Sequence, residues 1–202
     1  MDIHLLTDPT TIIRTLGLIG VIVIIFLETG VFFGFFFPGD SLLFTAGFLA
    51  SQGYVSFVWL LIGTFIAAVI GDSLGYAFGK KVGPSIFSKD DSVFFNKKHI
   101  IKAQYFYEKY GKKIIILARF MPVVRTFAPI VAGIGQMNYR TFLTYNILGG
   151  FLWTWSMLWL GYGLGSLIPN PDKYVIPVIV VIIIISALPG LREVWRSRKS
   201  LL

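Results

Sequence analysis

The sequence predicts an all-α integral membrane protein: an inverted-topology repeat with two opposed re-entrant, broken-helix segments set among transmembrane helices. Three observations carry this. The first is composition. Of 202 residues, 55% are hydrophobic and only 14% charged, with a mean hydropathy of +0.76; several membrane spans have such a composition and a soluble domain of this length does not. The second is that proline and glycine interrupt two apolar stretches, at Pro38-Gly39-Asp40 and at Pro122 and Pro129. The third is that the charges inside the apolar part are sorted by sign. Between Arg14 and Lys80 they are Glu28, Asp40 and Asp72; between Lys113 and Asp172 they are Arg119, Arg125 and Arg140.

The chain is treated as a single membrane domain over residues 1–202. Residues 1–11 form a polar lead without the basic start and small-residue cleavage site of a signal peptide, so the whole chain is expected to be mature. Asp8 or Thr10 is placed to cap a helix with Pro9 in its first turn. Ile12 to Leu27 is aliphatic, and because a span takes roughly 20 residues the helix is expected to run past Glu28. A Phe- and Gly-rich stretch, 30–37, leads into the Pro38 break. Ser41 to Leu49 is apolar but too short to cross, which favours a re-entrant segment; irregular backbone at that depth must face protein or water.

Tyr54 to Phe78 is long enough for a span and contains Asp72. The stretch 80–113 then carries nine lysines against Asp90, Asp91 and Glu108, a net of +6, and reads as a cytoplasmic loop. Within it Ile100, Ala103, Phe106 and Tyr110 recur at helical spacing, which suits either an interfacial helix or a solvated connector. Ile114 to Met137 holds Arg119 and Arg125, and Tyr139 with Arg140 suits a membrane interface. Thr141 to Leu167 is a Trp-rich span, 169–173 a turn, and Tyr174 to Leu191 a final span before a basic tail. That tail also reads cytoplasmic, so an even number of crossings separates it from the lysines. Helices 141–167 and 174–191 satisfy this when 114–137 enters and leaves on one side.

An internal repeat reinforces the pattern. Gly75-Tyr76-Ala77-Phe78-Gly79 matches Gly161-Tyr162-Gly163-Leu164-Gly165, and Ala46-Gly47 matches Ala132-Gly133, both at an offset of 86; Pro38 and Pro122 are offset by 84. Unit one covers about 28–79 and unit two about 114–167. Because the lysines place the end of one span and the start of the other on the same side, the copies run in opposite directions. Such repeats commonly build transporters, with the site where broken helices meet.

Net charge is +8, but the bases are clustered, so they report topology and not a nucleic-acid footprint. With no cysteine there is no disulfide or thiolate chemistry. Ionisable groups at membrane depth are expensive and are functional candidates by default. Arg119 and Arg125 are the candidate phosphate ligands, since a guanidinium fork matches phosphate oxygens and stays charged. Glu28 and Asp40 are the candidates for proton coupling and ion pairing with those arginines. Asp72 and Arg140 are secondary candidates, because both are expected near helix ends, where capping or snorkelling suffices. No metal or cofactor site and no catalytic residue is expected. A membrane lipid phosphatase needs a nucleophile and an acid, and the histidines, His4 and His99, fall in the lead and the lysine stretch. A scaffold without transport is the other class.

At these residues the sequence resembles the DedA family, also called the SNARE-associated Golgi protein or VTT-domain family. The matching pieces are Glu28 with Phe37-Pro38-Gly39-Asp40, Gly71-Asp72 through Gly75-Tyr76, Gly79-Lys80 and Gly83, and Arg119-Phe120-x-Pro122-x-x-Arg125 with Ala132-Gly133. They cover about residues 12–191. Phe36 stands where the family often has proline, and Lys80 where it often has arginine. The resemblance implies two re-entrant segments facing each other across an inverted repeat. It further implies a lipid transporter: a flippase for undecaprenyl phosphate, or a flippase or scramblase for phospholipids such as phosphatidylethanolamine. The family's essential acids fall on Glu28 and Asp40 and its essential arginines on Arg119 and Arg125. The expected partner is a membrane lipid, with proton coupling read from the carboxylates at membrane depth; the expected location is the cell membrane, with stretch 80–113 and the C-terminus cytoplasmic by their basic residues.

Overall fold

The computed structural model describes residues 9–30, 39–86, 111 and 113–167, and every regular element in them is an α-helix. The polar lead up to residue 8, Pro38 with the stretch before it, residues 87–110 with their amphipathic pattern, and the turn and final span beyond 167 lie outside the described residues.

Helix α1 is Pro9–Gly30, α2 Gly39–Ser51, α3 Phe57–Ile86, α4 Ile114–Ala118, α5 Pro122–Ile134 and α6 Tyr139–Leu167. Helix α1 does continue past Glu28, and α2 is the short element expected after the Pro38 break. Helix α3 is longer than the sequence suggests. It does not stop at Phe78 but runs on to Ile86, carrying Lys80 and Lys81 as exposed residues. Lysine is a good helix former whose stem can lie along apolar surface while its ammonium reaches water, so the charge does not end the helix.

Helix α3 is apolar on its outside. Trp59, Ile62, Ile66, Ile70, Leu74 and Phe78 recur along one exposed stripe, while Thr64, Ala68, Asp72 and Tyr76 are buried on the other face. Its segment Phe57–Val82, 26 residues with an 18-residue window of mean hydropathy 2.0, is long and apolar enough to cross a bilayer. Helix α6 repeats the pattern, exposing Leu148, Leu152, Trp159, Leu160 and Leu164 and burying Asn146, Trp153, Thr154 and Leu158. Polar inside and apolar outside is the reverse of a helix solvated by water, and it suits a helix solvated by lipid.

The residues gather into two compact units. One takes those of 1–24, 36–63 and 155–202, the other those of 25–35 and 64–154. In the first, α2 lies against the last turns of α6. A Cβ at Gly47 would strike the Leu158 carbonyl, and one at Gly161 the Phe44 carbonyl, so backbone meets backbone. The Gln52 amide donates to the Gly165 carbonyl at 2.7 Å, and Phe57 packs its ring on Trp159 and Tyr162 at 4.8 and 4.5 Å. In the second unit the same quartet recurs on α5 and α3: a Cβ at Gly133 would strike the Tyr76 carbonyl, and one at Gly79 the Ile130 carbonyl. Tyr76 stacks on Phe142 at 4.6 Å and donates its hydroxyl to the Met137 carbonyl, closing a core with Ile115 and Ala132.

The two short helices also end alike. Gly53 N–H donates to Ala50 O and Tyr54 N–H to Leu49 O, at 3.0 and 3.1 Å; Gln136 N–H donates to Gly133 O and Met137 N–H to Ala132 O, both at 3.0 Å. This is the Schellman arrangement, which needs a left-handed residue after the helix. Gly53 (φ +78°) supplies it in one case and Gln136 (φ +54°) in the other.

Candidate functional site

Among the described residues, every buried polar or charged side chain belongs to the second unit. Two ion pairs stand at its centre. Arg119 pairs with Asp72 and Arg125 with Glu28, and none of the four is more than 6% exposed.

Local sequence sets where the arginines sit. Proline disfavours helical backbone in the residue before it, and Met121, before Pro122, is extended at φ −113°, ψ 108°. The apolar run is therefore cut into α4 and α5, with Pro122 in the first turn of α5, where its missing N–H costs nothing. Arg119 ends α4, its N–H donating to Ile116 O at 3.2 Å, and Arg125 lies one turn into α5, its N–H donating to Met121 O at 3.0 Å. The expectation that both prolines interrupt the helix holds for Pro122 only. Pro129 sits inside α5 and fits against Gly75, whose added Cβ would lie 3.5 Å from the proline Cβ.

Arg119 is held from several directions. Its Nη2 donates to the Asp72 carboxylate, to the Asn146 side-chain oxygen and, at 3.5 Å, to the Ala68 carbonyl. Asn146 in turn donates to Val69 O at 3.0 Å and to Ser73 Oγ at 3.4 Å, which ties α6 to α3 beside the pair. Gly149 and Gly150 form the floor under the guanidinium. A Cβ at Gly149 would come 3.0 Å from Arg119 Cδ, and one at Gly150 3.5 Å from Cζ. The Nε of Arg119 is buried and makes no hydrogen bond to the described residues.

Arg125 donates to Glu28, and its guanidinium carbon lies 4.9 Å from the centre of the Trp153 ring, a distance at which the π face attracts a cation. The acids stand on adjoining helices. Thr29 fills the space left by Gly71, and the Gly30 and Gly71 backbones are close enough that a Cβ on Gly30 would lie 3.1 Å from Gly71 Cα. The neighbours of Glu28 thus touch those of Asp72.

The structure redistributes the sequence-derived roles. Arg119, Arg125 and Glu28 are brought together as the charge pattern suggested. Asp72 was placed near a helix end; it lies midway along α3, because that helix runs to Ile86, and it is the partner of Arg119. Arg140 does not join the site. It is exposed in the first turn of α6, where Asn138 Oδ1 accepts from its backbone N–H at 3.0 Å. Asp40 belongs to the other unit, half-buried in the first turn of α2, where the positive end of the helix dipole favours a carboxylate. Asn146, Trp153 and the Gly149-Gly150 floor were missed. An amide inside a Trp-rich apolar span was the available signal. No group of three or more His, Cys, Asp and Glu side chains suited to a metal ion occurs among the described residues.

Comparison with known proteins identifies the family. The VTT domain matches residues 37–163. Protein DedA of Escherichia coli K12 is 44% identical over 179 residues, which is 88% of this chain and 81% of the relative. An uncharacterised membrane protein of Mycobacterium leprae is 41% identical over 180 residues, covering 89% and 80%. The inner membrane protein YqjA of Escherichia coli K12 is 31% identical over 144 residues, covering 71% and 66%. No solved structure matches the chain. A helical membrane protein with apolar outer helix faces and paired buried charges, the chain belongs to the VTT-domain family, the DedA proteins.

Proposed function

We propose that this protein is a lipid transporter of the DedA type, a flippase that returns undecaprenyl phosphate across the cytoplasmic membrane with proton coupling. The observation that carries the reading is the pair of buried arginines, each already holding a carboxylate, in a unit that exposes large apolar side chains along α3 and α6. Guanidiniums present permanent positive charge and forked donors that match a phosphate monoester. In an empty site the carboxylates stand in for that anion. An acid that takes up a proton releases its arginine to the lipid phosphate, and its deprotonation returns the site to the paired state. Asp40 is assigned a share in that proton traffic as an acid within the apolar part of the sequence, a position to which the family resemblance also points.

The architecture proposed with it places α2 and α4–α5 as re-entrant segments of an inverted repeat, with stretch 80–113 and the C-terminus cytoplasmic. The recurring glycine quartet in the two units and the lysine count support it. A second reading, a phospholipid flippase or scramblase, draws on the carboxylates beside the arginines. Together they match a zwitterionic headgroup, with an ammonium for the acids and a phosphate for the bases.

Reconstitution in liposomes separates these. With labelled polyprenyl phosphate and labelled phosphatidylethanolamine offered in parallel, the wild type is expected to move the monoester faster. Arg125→Ala is expected to lose that flux at least tenfold while inserting normally, the size of effect that loss of one charge-assisted contact gives. Equal flux for wild type and variant overturns the transport role of the arginine.

A further inference from the structure

A groove of about 810 Å³ runs along the second unit, outside the ion pairs, within the range of roughly 300–1,000 Å³ typical of small-molecule sites. It lies between α3 and α6. Ser73 and Ala77, one turn apart on α3, are small and form its floor; Ile70 and Leu74 on one side and Leu143 on the other form its walls. Ile70 and Leu74 are themselves exposed, so the groove opens onto the surface that faces lipid.

One end is chemically different. Lys80 and Lys81, both exposed, close the groove together with Tyr139. The Lys80 ammonium lies 5.9 Å from the centre of the Tyr76 ring, which itself sits 5.4 Å from the Tyr139 ring. The long apolar trough thus ends in two cations backed by aromatic rings. It also ends where the stretch of nine lysines begins, on the side that the charge rule assigns to the cytoplasm.

We infer that this groove binds an anionic diacyl phospholipid of the cytoplasmic leaflet, distinct from the lipid that is transported. Charge complementarity selects the occupant: the lysines take the headgroup phosphate, and the Ile70, Leu74 and Leu143 walls take an acyl chain. Basic pockets between membrane helices on the cytoplasmic side hold anionic headgroups in this way. A zwitterionic lipid fills the trough equally well but brings an ammonium toward the lysines, which repel it. The proposal does not require the transport reading.

The floor gives the bound lipid a line to the paired charges. Ser73 accepts from Asn146, and Asn146 accepts from Arg119. A chain lying on Ser73 therefore packs against the side chain that steadies the Asn146 bridge.

The test uses the full chain, delipidated in detergent and titrated with phosphatidylglycerol, phosphatidylcholine or undecaprenyl phosphate, with retained lipid read by native mass spectrometry and Tm recorded alongside. Wild type is expected to retain phosphatidylglycerol in preference to phosphatidylcholine and to gain Tm with the former. Lys80→Gln with Lys81→Gln is expected to retain it about thirtyfold less well. Ala77→Trp, which fills the floor, is expected to lose it with both lysines intact. Lys113→Gln, also exposed but not part of the groove, is expected to behave as wild type. Equal retention of the two lipids by wild type, or unchanged retention in the double-lysine variant, overturns the proposal. So does selective retention of undecaprenyl phosphate over phosphatidylglycerol, which would make the groove a portal for the transported lipid. Loss of transport in Arg125→Ala with retention intact leaves this inference standing, so the two readings fail separately.

Discussion

A guanidinium buried at 3% exposure cannot shed its charge, so Asp72 decides whether Arg119 can stay where it is. Removing one partner of a buried pair leaves the other charge uncompensated, at a cost of about 3–5 kcal/mol. Asp72→Ala is therefore expected to lower stability by about that much, and Asp72→Asn by less, because an acceptor remains for Arg119. Adding Arg119→Met to Asp72→Ala should recover most of the loss, since an apolar pair of similar volume needs no anion. Unfolding in detergent measures all three; a double variant no more stable than Asp72→Ala would show that the pair is not the source of the cost. The sequence made the arginines and Glu28 conspicuous because each is a lone charge in an apolar run. It hid the partner of Arg119 for a local reason. The helix carrying Asp72 looked finished at Phe78, which left the acid near an end, whereas the lysines that follow extend the helix by two turns. Asn146 was harder still, because a neutral amide does not stand out among tryptophans, and its role follows only from facing Arg119, Val69 and Ser73 at once.

Among the elements, the short helices are fixed by glycines that admit backbone to backbone. Alanine at Gly79 or Gly133 puts a methyl into a carbonyl oxygen that belongs to the facing helix, and neither partner has a side chain that can move aside. Gly79→Ala is expected to destabilise the second unit by about 1–3 kcal/mol, the range of overpacking. Gly20→Ala in α1 meets nothing within 4 Å and is expected to be neutral, or to stabilise by roughly 0.5–1 kcal/mol through helix propensity. Thermal unfolding of the two variants side by side checks the contrast, and equal losses would mean that the close approach does not set stability. Close glycine contacts recur in both units, but their register was not legible in the sequence. The matching strings pair Gly161 with Gly75, whereas the contacts pair Gly161 with Gly79: Phe44, Gly47, Leu158 and Gly161 take the places of Ile130, Gly133, Tyr76 and Gly79. Gly71, Gly75, Gly79 and Gly83 recur every four residues along α3, so sliding the alignment by one turn preserves most of the pattern. Only the facing helix selects the turn. The left-handed cap at Gln136 was likewise invisible, because glutamine carries no signal for positive φ, whereas Gly53 does.

At the scale of the molecule, the buried polar and charged side chains among the described residues lie in one unit, with two arginines and two carboxylates that pair one to one. Under the proposed function, an arriving phosphate adds negative charge to a neutral enclosure, and the enclosure restores balance by taking a proton onto a carboxylate. Glu28 is the acid to test, since it is fully buried and its partner Arg125 lies in the segment that the Pro122 break sets apart. In liposomes with an imposed pH gradient, wild-type flux of the labelled monoester is expected to rise in one direction of the gradient and fall in the other. Glu28→Gln fixes a neutral side chain of the same shape where the protonated acid would be. It is expected to carry flux that ignores the gradient, provided that its melting temperature shows the variant to be folded. Asp72→Asn, changed at the arginine held also by Asn146 and Ala68, is expected to keep the gradient response at reduced rate. Three curves of flux against gradient decide the matter. A wild type indifferent to the gradient removes proton coupling while leaving lipid transport intact. A Glu28→Gln protein that still follows the gradient moves the proton carrier elsewhere, with Asp40 in the other unit as the next acid to replace.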